Sequence, residues 1–196
     1  MKQQQALKAA IAAIALSLSG TAFAGSASGE ALGVTCAGCH GTNGVSTGPA
    51  TPTIAGMSKT YIVDTMENYK TGDNYSTIMG RIAKGYSTAE FEAMGDFFSK
   101  QSFSAADQAS GKNAKAGKKI HKKSCKKCHE DGGTSADDDS GFLSGQWAPY
   151  LKYTFTDLMN GEHVMGKKMK KQMKKMHEKH GDAGIAALLD YYSSNK

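Results

Sequence analysis

All four cysteines of this 196-residue chain lie in two copies of one pattern, Cys36-Ala-Gly-Cys39-His40 and Cys125-Lys-Lys-Cys128-His129. This spacing is the signature of covalent c-type haem attachment. Two thiols add across the two vinyl groups of one porphyrin, and the histidine that follows is held under the iron as its proximal ligand. A closed zinc site wants four Cys/His ligands, and a redox dithiol needs no neighbouring histidine. One copy arises by chance; two copies with no cysteine left over predict two haems c. The chain must then fold around two large apolar planes. That offsets a hydrophobic content of 39% with only 8% aromatics, and it predicts a poorly folded apoprotein.

The N-terminus agrees with this chemistry. Lys2 and Lys8 flank the start of an apolar run over residues 9–18, and Thr21-Ala22-Phe23-Ala24 offers a small-residue cleavage site. This reads as a secretory signal peptide over residues 1–24, too short to span a bilayer. An uncleaved membrane anchor is the competing reading. No second hydrophobic stretch follows, so a periplasmic product without a membrane anchor is expected, and c-type haem is attached in that compartment in bacteria.

Charge divides the remainder. Residues 25–110 hold five Lys/Arg against eight Asp/Glu, a net of −3, whereas residues 111–196 hold seventeen against ten, a net of +7. Such asymmetry points to oriented docking of a charged partner. Nucleic acid is a poor partner for an exported, haem-loaded chain. The lysine run over residues 167–175 reads first as a solvated helix face and second as a docking patch.

The chain is also an internal repeat. An offset of 89 residues carries Cys36, Cys39 and His40 onto Cys125, Cys128 and His129, Gly56 onto Gly145, Tyr61 onto Tyr150 and Gly72 onto Gly161. Near the ends of the halves the offset becomes 94, carrying Asp96-Phe97-Phe98 onto Asp190-Tyr191-Tyr192. Two copies of one haem-binding unit follow, over residues 25–103 and 104–196, with the polar stretch 101–117 as linker. Each unit reads as all-α. Helices are expected over residues 31–34, 61–70 and 88–99, and again over 117–123 and 150–159. Ser87 and Glu90 form a capping box. Phe91, Met94, Phe97 and Phe98 share a helical face, as do Ile185, Leu188, Leu189 and Tyr192, and both stripes read as core.

The sixth iron ligand separates a carrier from a catalyst. Methionine opposite histidine closes the iron and raises its potential. In the first unit Met66 and Met94 read as core and Met57 comes early in the chain. Met79, expected in a loop between two helices, is the preferred ligand. In the second unit Met159, Met165, Met169, Met173 and Met176 crowd one segment. The repeat does not choose among them: Met169 is preferred, while Met165 repeats the local sequence of Met79 and Met173 answers to the 94-residue offset. His121, His163, His177 and His180 all lie in the second half, so bis-histidine ligation does not account for the first haem.

With these motifs in place a family resemblance emerges. The paired haem sites, linker and loop methionines resemble the cytochrome c4 family of tandem class I cytochrome c domains. The stretches Cys36-Ala-Gly-Cys-His-Gly-Thr-x-Gly, Gly48-Pro-Ala50 and Ser76-Thr-Ile-Met-Gly-Arg-Ile-Ala-Lys-Gly-Tyr-Ser-Thr88 resemble the cytochrome subunit of flavocytochrome c sulfide dehydrogenase. Gly145-Gln-Trp-x-Pro-Tyr-Leu151, Lys167-Lys-Met169 and Gly181-Asp-Ala-Gly184 extend that likeness. The resemblance implies a heterodimer with an FAD-containing flavoprotein subunit that oxidises sulfide. Two haems would then relay electrons to a soluble cytochrome or similar acceptor. It also implies Cys36, Cys39, His40 and Met79 for one haem, and Cys125, Cys128, His129 and Met169 for the other. Such a chain is an electron-transfer subunit and not catalytic on its own. A free carrier of the cytochrome c4 type, and a dihaem peroxidase or gas sensor with an open iron, are the other readings.

Overall fold

The computed structural model describes residues 27–137 and 140–195; the expected signal peptide lies outside them. Among the described residues the regular structure is helical, apart from one isolated bridge between Asp137 and Ser140. In chain order the helices are α1 (Gly29–Val34), α2 (Ala37–His40), α3 (Lys59–Thr71), α4 (Met79–Ala83) and α5 (Thr88–Phe98). The second half supplies α6 (Ala114–Ser124), α7 (Ala148–Asn160) and α8 (Lys167–Ser194).

Local chemistry explains the helix limits. Ser58 caps α3 by accepting from the Tyr61 N–H, and the left-handed Gly72 ends it. In α5 the Ser87 side chain accepts from the Glu90 N–H while the Glu90 carboxylate accepts from the Ser87 N–H, the expected capping box. Helix α8 breaks at Gly181, whose φ of 57° and ψ of −158° are not helical. The 94-residue offset carries Ser87 onto Gly181, so the second half of α8 is the repeat of α5.

Each half closes around its own core. The first gathers Leu32, Met57, Ile62, Phe91, Met94 and Phe98; the second gathers Ile120, Leu151, Phe155, Met173, Leu188 and Tyr192. Burial of each such side chain is worth about 1.5–3 kcal/mol. In both halves the helix before the motif crosses the helix at the end of the unit, α1 on α5 and α6 on α8. Glycine makes this possible: a Cβ on Gly29 would overlap the Ala93 carbonyl, and one on Gly117 the Ala187 carbonyl.

The halves are joined by a polar junction. Gln146 is fully buried; its Oε1 accepts from the Thr53 N–H at 2.9 Å and its Nε2 donates to the Thr53 carbonyl at 2.6 Å. The Trp147 indole donates to the Ser46 carbonyl at 3.2 Å, and Phe142 packs on the first core and stacks on Phe103. At the other end of the junction the Tyr75 N–H donates to the Glu162 carbonyl, and the Val164 N–H to Asn74 Oδ1, both at 2.7 Å.

Candidate haem-attachment sites

Each motif forms one helical turn. His40 N–H bonds the Cys36 carbonyl at 2.9 Å, and His129 N–H bonds the Cys125 carbonyl at 3.0 Å. Residues spaced i, i+3 and i+4 lie on one helical face, so both thiols and the imidazole of each motif look the same way. The turn is followed by a tight 3-10 segment, Thr42–Gly44 or Asp131–Gly133. The carbonyl of its last glycine takes two backbone bonds from the returning chain, from Ile54 and Ala55 in one half and from Leu143 and Ser144 in the other. The four cysteines are free thiols, Cys36 and Cys125 half-buried, Cys39 and Cys128 exposed. Burial pushes the Cys36 and Cys125 thiols up, opposed by the Thr35 and Tyr192 hydroxyls respectively. Among the described residues no three His, Cys, Asp or Glu side chains converge as a metal-ion cluster does. The donors of each motif are thus spaced along one turn, as attachment to the edge of a flat macrocycle requires, rather than gathered on a point.

The histidines test the fit. His40 is buried, and its Nδ1 lies 2.9 Å from the Pro52 carbonyl. A carbonyl only accepts, so Nδ1 carries the proton and Nε2 is left with its lone pair. This is how a metal-ligating imidazole is oriented by the atoms behind it. Burial also lowers the His40 pKa, which favours the neutral ring. Burial lowers the His129 pKa too, but its Nδ1 is buried with no hydrogen-bond partner. The 89-residue offset puts Gly141 where the first half has Pro52.

The methionines separate by position. Met79 opens α4 rather than sitting in a loop, because Ser76 Oγ accepts the Gly80 N–H at 2.7 Å and the Arg81 guanidinium bonds the Thr77 carbonyl, winding the segment into a turn. It is half-buried and stands apart from the first core cluster, whereas Met57 and Met94 are buried in that core and Met66 packs on it. In the second half Met173 and Met176 are core residues of α8. Met169, in the first turn of α8, and Met165, just before it, are both half-buried against that core. His163 bonds the Tyr75 carbonyl at 2.9 Å, and His177 pairs with Asp182.

Sequence reasoning missed the Pro52 carbonyl, the Gln146 clasp, and a group of buried phenols near the junction. Burial raises the pKa of Tyr61, Tyr69 and Tyr150; Tyr61 adds to the shift of Tyr69, which is pushed up to about 12, and Tyr61 and Tyr69 both add to that of Tyr150. The repeat pairing of Tyr61 with Tyr150 was the available signal.

A tandem c-type cytochrome is the class that two such turns, each under its own pair of crossing helices, define. Known proteins agree. Residues 26–108 match the family described as Cytochrome c, and residues 112–191 match that described as Cytochrome C oxidase, cbb3-type, subunit III. The cytochrome subunit of sulfide dehydrogenase from Chlorobaculum tepidum is 44% identical over 70 residues, which are 36% of this chain and 63% of that protein. Cytochrome c4 from Pseudomonas aeruginosa is 29% identical over 91% of this chain and 93% of its own. The fold matches the crystal structure of reduced cytochrome c4 from Pseudomonas stutzeri with a TM-score of 0.72 at 24% identity, over 86% of this chain and 97% of that one. The chain belongs to the cytochrome c family, in its cytochrome c4-like dihaem branch. Its domains imply covalent haem c, and it is an electron carrier.

Proposed function

We propose that this chain is the periplasmic electron-transfer subunit of a flavoprotein sulfide dehydrogenase. It would accept electrons from FAD on a partner subunit and pass them to an external acceptor. The observation that carries this reading is the 44% identity of a 70-residue stretch to the Chlorobaculum sulfide dehydrogenase cytochrome subunit. This chain spans 63% of that relative's length. A second reading, a free carrier, is favoured by the likeness to cytochrome c4 along nearly the whole chain.

Bound haem supplies one-electron exchange at iron. In this reading Cys36 and Cys39 anchor one haem and Cys125 and Cys128 the other, with His40 and His129 as proximal ligands. Pro52 fixes the His40 ring through Nδ1. Met79 and Met169 would complete the iron coordination, with Met165 the alternative to Met169. The domains divide near residues 103 and 104, after a signal peptide cleaved near Ala24. Among the described residues no helix is long and apolar enough to cross a membrane.

Native co-purification tests the choice. A yellow flavin-containing partner in stoichiometric amount supports the subunit role; a lone red protein overturns it in favour of the free carrier. Carbon monoxide added to the untreated reduced protein should leave the Soret band in place, since a shift would mean an open iron and a different chemistry.

A further inference from the structure

The junction between the halves departs from the repeat. Gln146 and Trp147 hold the loop over residues 46–53 at both ends: Gln146 bonds both backbone groups of Thr53, and the Trp147 indole bonds the Ser46 carbonyl. Pro52, whose carbonyl takes the His40 Nδ1–H, immediately precedes Thr53. The offset of 89 residues carries Met57 and Ser58 onto Gln146 and Trp147, and Pro52 and Thr53 onto Gly141 and Phe142. The reciprocal arm therefore has a thioether where the first has an amide. A Cβ on Gly141 would stand 3.0 Å from the Met57 sulfur and 2.9 Å from the Tyr61 ring, so both close on bare backbone there. Ser58 reaches the Asp137 carbonyl at a long 3.4 Å. Behind this weaker arm His129 Nδ1 is buried and unpartnered; the Asp137 carboxylate acts on His129 through its charge, and Nδ1 makes no hydrogen bond to it.

A proximal imidazole whose Nδ1–H is bonded to a carbonyl is the stronger donor through Nε2. It favours the oxidised iron and lowers the potential. An imidazole without that bond donates less. Net charge acts in the same direction, with −3 over residues 25–110 and +7 over residues 111–196. Positive surroundings disfavour the more positive, oxidised iron.

We propose that Gln146 is a positioning residue for the haem of the opposite half. By clasping Thr53 it seats the Pro52 carbonyl on His40, and so holds the first haem at the lower of two unequal potentials. The second haem, whose His129 has no such support, is then the easier to reduce. Within the relay proposed above, the downhill direction runs from the first half to the second. The inference rests on the reading of His40 and His129 as proximal ligands.

The holoprotein is reduced stepwise at controlled potential, with the hyperfine-shifted backbone amide signals of the two motifs reporting each haem. The titration is run at low salt and in about 1 M sodium chloride, where surface charge is screened within roughly 3 Å. At half reduction the second motif should hold the electron with a preference of about tenfold or more, a separation of about 59 mV for a one-electron couple. That order should persist at high salt. Gln146→Met puts the first half's own residue into the clasp and adds no charge. It should cut the preference roughly threefold, the size of weakening one hydrogen bond, by raising the first potential and leaving the second in place. Gln146→Ala should move the first potential in the same direction. Equal potentials at high salt, a reversed order, or Gln146 variants that leave the separation unchanged overturn the inference. Histidine ¹⁵N labelling separates two failures. Two rings should be hyperfine-shifted in the oxidised protein; fewer than two would sink the ligand reading and the inference with it, whereas two with an unmoved separation would sink the inference alone.

Discussion

His40 and His129 end the same helical turn, yet the atoms behind them differ. The first imidazole is tied to Pro52, and Pro52 lies in a loop that is itself tied down. Within that loop Ser46 Oγ donates to the Thr51 carbonyl at 2.7 Å, and Thr53 is clasped on both its backbone groups by Gln146 of the other half. The second imidazole has a glycine at the corresponding place and, among the described residues, no acceptor for Nδ1. One repeat thus fixes its ring from outside itself, through the junction, while the other leaves its tautomer open. A duplicated motif conserves the turn more faithfully than the support around it, because the turn is local and the support belongs to whatever packs nearby.

The largest way to break the comparison is to delete one site at a time. Cys36→Ala with Cys39→Ala, or Cys125→Ala with Cys128→Ala, should each halve the covalent haem per chain in a haem–protein ratio measurement. Loss of both haems from either double variant would show that the halves do not fold independently. Next come the methionines. Met79→Ala should remove the methionine–iron charge-transfer absorption from one haem and lower its potential by roughly 0.1 V or more, within the ~0.8 V span that axial ligands command. Met169→Ala should do the same for the other haem; if Met165→Ala does so instead, the second ligand is Met165.

The junction ranks third. Gln146→Ala leaves a buried N–H and a buried carbonyl at Thr53 unpaired, a cost of about 2–5 kcal/mol. Thermal unfolding should then split into two transitions. A single unchanged transition would mean the clasp does not couple the halves. The smallest effect is expected at the cap of α5, which has no counterpart at Gly181. Ser87→Ala should cost about 1 kcal/mol, confined to the first half. The Ser87 backbone N–H and, secondarily, its hydroxyl hold the Glu90 carboxyl below its ordinary value of 4.5. A depressed carboxylate stabilises above its unfolded pKa and loses that contribution as pH falls through the folded value. Acid titration should therefore destabilise the wild-type first half below about pH 4.5, with a shallower slope in Ser87→Ala.

Much of this was legible in the sequence. The offset of 89 residues, the capping box at Ser87 and the core stripes of Phe91 and Leu188 are short-range patterns, and each appears where periodicity or spacing puts it. Met79 was misread as a loop residue because the turn that winds it up rests on a side chain, Ser76, outside any regular period. The stretch 101–117 read as a linker because its composition is polar, and the sequence carried no sign of what it packs on. In the structure its Ala106 is buried and bonds the Gly145 carbonyl at 2.7 Å, while Gln108 spans Gln146 and Ala148. Contacts across that separation leave no local trace.

The clasp at Gln146 also changes what the charge asymmetry can do. Halves swinging on a loose tether would average −3 and +7 into a diffuse net charge. Halves locked together make those charges the two ends of one permanent dipole. An approaching partner that carries charge of its own would exert a torque on such a body before touching it, so the molecule would arrive already turned, presenting one chosen end.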